Sequence, residues 1–145
     1  MSTVMYQPLT TELSEIIRIE NYGRHHIASI CPYIFINGNP SGQFKFQILE
    51  QSTTIFEHIF TAQDVLNVMG TLNNYAHVFF PIVPENPLYL KNGNYTLKLS
   101  ATGYSFSTNS HIGWCQQFEN VQNEMDYIPT NDVENPLAFR IKIYK

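Results

Sequence analysis

The chain has 145 residues and a formal net charge of −4, and it is 14% aromatic but only 14% charged, against a usual charged share of roughly 25%. That length suits one domain over residues 1–145 with a real core, the composition excludes a disordered chain, and eight scattered Lys and Arg give no basic face for nucleic acid. No apolar run reaches the roughly 18 residues that a bilayer span needs, and the first residues lack a basic start followed by an apolar stretch, so neither membrane insertion nor classical secretion is expected.

In chain order, Val4 to Leu9 reads as a short strand ended by Pro8. Leu13, Ile16, Ile17 and Ile19 follow at spacings compatible with a helical turn, but the β-branching of Ile-Ile-Arg-Ile predicts a strand over Glu12 to Glu20. A turn at Asn21 to Arg24 leads to an apolar run from Ile27 to Ile36 that is interrupted at Pro32. A proline removes one ladder donor, so this strand is expected to bend there or to lie at a sheet edge.

Asn37 to Gly42 is the densest turn signal in the chain. Phe44, Phe46 and Ile48 alternate with Lys45 and Gln47 as in a half-buried strand, and Gln51 to Thr53 turns the chain again. Thr54 to Phe60 offers two faces, Phe56, His58 and Phe60 against Ile55, Glu57 and Ile59. Thr61 with Asp64 has the form of a helix N-cap ahead of Val65, Leu66, Val68 and Met69, and Gly70 is placed to end the helix. Tyr75 to Val83 is apolar and aromatic, but Pro81 and Pro84 keep it from being an ordinary central strand throughout.

Leu88 and Leu90 lead into Lys91-Asn92-Gly93-Asn94, after which Tyr95, Leu97 and Leu99 alternate with polar residues. Asn-Gly tolerates the positive φ angles of a tight turn, so a β-hairpin with one face in the core is predicted here. From Thr102 to Pro136 regularity weakens into a long loop of a kind that often carries function, containing one strand over His111 to Phe118. Ala138 to Tyr144 closes the chain as a strand, with Phe139, Ile141 and Ile143 on one face. Eight or nine short strands without βα alternation predict an all-β, two-sheet sandwich with one short helix.

No GxSxG, HExxH, phosphate loop or metal-type Cys/His spacing is present. A non-enzymatic domain with no catalytic residues, no metal and no cofactor is expected. Cys31 and Cys115 read first as buried free thiols, with a disulfide left open because sequence does not give their separation. His25 and His26 point to opposite faces of a strand and do not chelate one ion. Glu119, Glu124, Asp126, Asp132 and Glu134 enrich the late loop in oxygen donors that suit calcium, but their spacing is not that of an EF-hand, and a solvated acidic loop is the preferred reading. Tyr104, Asn109, Trp114 and Tyr127 lie in or beside that loop. Exposed aromatics among amides would suit a protein interface or a sugar, while a lone Trp most simply packs between sheets.

Leu90, Gly93, Tyr95, Leu97 and Leu99, with the closing Pro136-Leu137-Ala138-Phe139-Arg140-Ile141, resemble the late strands of jelly-roll β-sandwiches. Within that architecture the chain is similar to accessory domains of bacteriophage capsids and tails, and to carbohydrate-binding modules. The first resemblance implies a virion accessory protein, present in the host cytoplasm during assembly, that contacts other virion proteins or copies of itself. The second implies glycan binding through Tyr104, Asn109, Trp114 and Tyr127. A start at Met1 with no signal peptide, in a charge-poor chain rich in Asn, Ile and Tyr, favours the virion reading.

Overall fold

A computed structural model describes residues 5–20, 24–70, 76–116, 128–129 and 136–144. In chain order these form β1 (Tyr6–Pro8), β2 (Glu12–Ile19), β3 (His25–Asn37), β4 (Gln43–Glu50), β5 (Thr53–Phe60), α1 (Ala62–Met69), β6 (Ala76–Phe79), β7 (Tyr89–Leu90), β8 (Gly93–Thr102), β9 (His111–Cys115), β10 (Ile128–Pro129) and β11 (Phe139–Ile143). The fold is an all-β, two-sheet sandwich with one short helix, as the strand rhythm predicts.

One sheet has the order β10-β2-β8-β4-β5. The other has the order β1-β9-β3-β11, with β6 and β7 also paired to β3. All pairings are antiparallel. Residues 34–36 of β3 pair with β9 and with β6 at once, so those two strands flank β3 on opposite edges. β6, an Ile30–Ile82 bridge and β7 follow one another along a single edge of β3 and act as one interrupted strand. Counted that way, β1-β9-β3-β6/β7 and β2-β8-β4-β5 make the eight strands of a jelly roll, and β10 and β11 are additions to it.

The alternation read from sequence sets the burial. Ile17, Ile19, Phe44, Phe46, Leu97 and Leu99 of one sheet are almost fully buried against Ile30, Ile34, Ile36, Ile112 and Trp114 of the other. In β5 the inner face is the one carrying Phe60, which pairs with Phe44, and Ile59 is left 51% exposed. Thr61 and Asp64 form a full capping box: the Thr61 hydroxyl accepts from the Asp64 N–H at 3.3 Å and the Asp64 carboxylate accepts from the Thr61 N–H at 2.8 Å. Ala62, Val65 and Met69, one stripe of this helix, are buried, and Gly70 at φ 73° ends it.

Two expectations need correction. Residues 88–99 are not a hairpin: β7 pairs with β3, while β8 pairs with β2 and β4 in the opposite sheet. Period-two alternation is the same on either side of a sheet-to-sheet crossing as on either side of a hairpin, so the pattern does not separate the two. The crossing is held by Tyr95, whose hydroxyl donates to the Lys91 carbonyl at 2.9 Å and accepts from the Lys91 N–H at 3.1 Å. The tight two-residue hairpin is β4–β5, through Gln51 (φ 49°) and Ser52 (φ 71°).

Pro32 does not lie at a sheet edge, for β3 is a central strand that runs through it. On the β6 side the register runs on past the end of β6: Phe80 donates to the Pro32 carbonyl at 2.9 Å, and Ile30 and Ile82 exchange both of their bonds. The missing donor therefore costs one bond of the Pro32–Phe80 pair and leaves the register on either side intact.

Candidate functional site

On β3 the face opposite the core carries Tyr33 and Phe35 and, past the register shift between Ser29 and Ile27, His26, and strand pairing extends this outer face into an aromatic array. The register sets Phe35 beside Gly113 and His77, Tyr33 beside Phe79, and His26 beside Tyr89. From β1, Tyr6 stacks on Phe35 with ring centroids 3.9 Å apart and an interplanar angle of 13°. Its ring lies over Gly113, where a Cβ would fall 2.8 Å from the Gln7 carbonyl and into the Tyr6 ring edge.

Beneath this stack His111, only 4% exposed, has Nδ1 2.8 Å from the Ser107 carbonyl and Nε2 2.8 Å from the Tyr6 hydroxyl. A carbonyl only accepts, so Nδ1 carries the proton and Nε2 accepts from Tyr6. Phe106, 44% exposed, packs on the His111 ring at 4.8 Å.

Two further groups continue the face. Tyr33 and Phe79 stack at 4.2 Å, Tyr33 hydrogen-bonds His77 through its hydroxyl, and the Arg140 guanidinium sits 4.0 Å over Phe79. Burial raises the Tyr33 phenol above its usual range; the Cys115 sulfur beside it adds to the rise and Arg140 opposes it. Lower on the sheet His26 packs on Tyr89 at 4.6 Å and on Tyr144 at 4.4 Å, while Arg24 lies 4.0 Å over Tyr89.

The outer face of the five-stranded sheet is of another kind. Its strands pair charge with charge, Arg18–Glu20 at 2.7 Å, Lys45–Glu57 at 3.7 Å and Lys98–Glu12 at 3.8 Å. Such solvent-exposed pairs keep a surface wet and add little stability. Arg24 and Arg140 rest on aromatic rings instead, an arrangement that leaves the guanidinium edge free to donate.

The residues singled out in the sequence are dispersed. Trp114 is fully buried, packs edge-on to Phe46 at 5.8 Å and donates its indole N–H to the Ala138 carbonyl at 2.7 Å. It presents no face to a sugar, and the core reading of the lone Trp is the correct one. Tyr104 is half-buried, and its hydroxyl donates to the Leu9 carbonyl at 2.9 Å and accepts from the Ile112 N–H at 3.3 Å. Burial raises its phenol, which the Ile112 N–H partly offsets. This tyrosine ties the β1–β2 connection to β9 rather than lining a site. Asn109 is exposed in the turn bridged by Ser107 and Ser110. Tyr127 lies outside the described residues, as do Glu119, Glu124, Asp126, Asp132 and Glu134 of the acidic loop.

Both cysteines are free and buried. Burial pushes the Cys115 thiol up to about 12, which makes it inert as a nucleophile near neutral pH. Among the described residues no three His, Cys, Asp or Glu side chains gather to hold a metal ion, and no helix is long and apolar enough to cross a membrane.

Sequence reasoning missed the aromatic face. Its signal is a difference of parity within one apolar run: Ile30, Ile34 and Ile36 are aliphatic on the core side, while Tyr33 and Phe35 are aromatic on the other. No protein-family model, curated protein or solved structure matches the chain.

Proposed function

We propose that the protein is a non-enzymatic interaction domain, an accessory protein of a bacteriophage capsid or tail, which joins other virion proteins or copies of itself through the outer face of the six-stranded sheet. The observation that carries this reading is three groups of partly exposed rings along one face, Phe106, Tyr6 and Phe35, then Tyr33 and Phe79, then Tyr89 and Tyr144. Interface cores are enriched in Tyr, Phe and Arg and poor in acidic groups. That is the composition of this face and not of the opposite one. Few ions need to be desolvated when it is covered, and the jelly roll supplies a rigid, flat support. The virion is then the expected location, with the host cytoplasm as the place of assembly.

Carbohydrate binding through Tyr104, Asn109 and Trp114 is less favoured, because the indole that would stack on a sugar is enclosed. Size-exclusion chromatography with light scattering tests the first reading. A trimer or larger ring, or co-sedimentation with purified particles, is expected for the native chain, and Phe106→Ser with Phe79→Ser should abolish it while circular dichroism stays unchanged. A strict monomer absent from particles would overturn it.

A further inference from the structure

At the end of the sandwich where the β4–β5 hairpin, the β7–β8 crossing and the start of β3 converge, two open clefts of about 470 and 570 Å3 share Glu50, Lys91 and Tyr95. Both volumes fall within the range of small-ligand sites. The first cleft has an apolar floor at Leu88 and Ile55 and is flanked by Tyr89, Arg24 and Lys91. The second is lined by amides and hydroxyls, Gln51, Ser52, Asn92, Asn94 and Thr96 among them.

The chemistry of the two clefts is asymmetric. Arg18, Lys45 and Lys98 each sit within 4.0 Å of a carboxylate, whereas Arg24 and Lys91 take part in no such pair among the described residues. Arg24 is held by its stacking on Tyr89, which orders the guanidinium while its edge stays available. Lys91 is fixed at its backbone, where the Tyr95 hydroxyl takes both its N–H and its carbonyl. Two cations and the single carboxylate of Glu50 leave the first cleft with one excess positive charge in a chain whose net charge is −4.

One positive charge beside an apolar floor and a run of neutral hydrogen-bonding groups suits a ligand with one carboxylate per unit and many hydroxyls. A peptide dense in Asp and Glu would press several charges against Glu50. We propose that the two clefts form a binding site for a carboxylate-bearing saccharide, with the carboxylate between Arg24 and Lys91 and hydroxyls on Glu50 and Asn94. This site meets the aromatic face at Tyr89 and the Arg24 stacked on it, and lies away from the Tyr6–Phe35 and Tyr33–Phe79 stacks at the centre of that face.

Digalacturonate and sialyllactose, with lactose and a glutamate-rich peptide as comparisons, can be titrated into 15N-labelled protein. The expected result is saturable shifts at Lys91, Asn94 and Tyr95 amides with an acidic saccharide, at least about tenfold weaker with lactose. Arg24→Gln and Lys91→Gln should each weaken binding by about tenfold, while Lys45→Gln leaves it unchanged. Both substituted side chains are exposed, so folding is preserved. Absence of cleft shifts at ligand saturation, equal shifts with lactose, or tighter binding of the peptide would each overturn the proposal. Repeating the titration with Phe106→Ser separates it from the assembly reading, because binding should persist in that variant.

Discussion

The Tyr6 ring lies across Gly113, in the space that any side chain at position 113 would need, and thereby completes the Tyr6–Phe35 stack. The relation is reciprocal: a bare backbone on β9 lets an edge strand bring an aromatic ring onto the sheet.

Gly113→Ala should therefore destabilise the fold by about 1–3 kcal/mol, the range for overpacking a filled site. The Gln7 carbonyl, only 2.8 Å from the new Cβ, has no rotamer through which to yield. Urea unfolding measures the loss. In a Tyr6→Ala background the penalty should shrink without vanishing, because the ring clash goes and the carbonyl clash stays.

At the β4–β5 hairpin, Gln51 and Ser52 both hold positive φ without being glycine or asparagine. Replacing the pair with Asn-Gly, the sequence that two-residue hairpins favour, should stabilise the protein by about 1–2 kcal/mol. A raised urea midpoint at constant slope would confirm the gain; no rise would mean that the loop is unstrained.

Trp114 is the only tryptophan, so native fluorescence reports its site directly. Emission should be blue-shifted and resistant to acrylamide, and Trp114→Ala should destabilise by about 3–5 kcal/mol. Easy quenching in the folded protein would contradict the buried indole.

Alkaline pH should unfold this chain early. Cys115 is raised to about 12 from 9.0, and Tyr33, Tyr95 and Tyr104 are raised from 10.0, in each case chiefly by burial. These groups hold their protons more tightly folded than unfolded. Their stabilising effect is whole below about pH 9 and is lost as pH climbs through the raised values. Stability measured from pH 8 upward should fall, and Cys115→Ala should flatten the fall between pH 9 and 10, where the tyrosines contribute least. At pH 8 neither thiol should react with a disulfide reagent until denaturant is added.

Much of this fold was legible because local chemistry and tertiary demand agree. The Thr61–Asp64 capping box, the inward Phe44, Phe46 and Ile48, and the closing Phe139-Arg140-Ile141 strand each follow from a pattern that means the same thing alone and in context. The Asn92-Gly93 turn misleads because a turn dipeptide reports backbone angles and says nothing of which sheet the next strand joins. The candidate surface was hidden for a related reason. Tyr6, Tyr33, Phe79 and Phe106 are distant in sequence and become one face only through the register of β1, β3, β6 and β9. Trp114 was drawn toward a binding role by its position near a polar loop, while its strand parity points it into the core.

Pro32 also bears on the chain before it is folded. Every strand that pairs with β3 comes from beyond residue 75, so during synthesis the run from Ile27 to Ile36 waits without partners. A seven-residue stretch as apolar as Ile30 to Ile36 is the sort that stacks with its own kind into fibrils. A proline inside it interrupts the continuous donor row that such stacking requires. The native ladder tolerates that gap because the Phe80 N–H still reaches the Pro32 carbonyl and pairing holds at Ile30 and Tyr33 on either side. The same residue that is harmless in the finished sheet guards the nascent chain against aggregation.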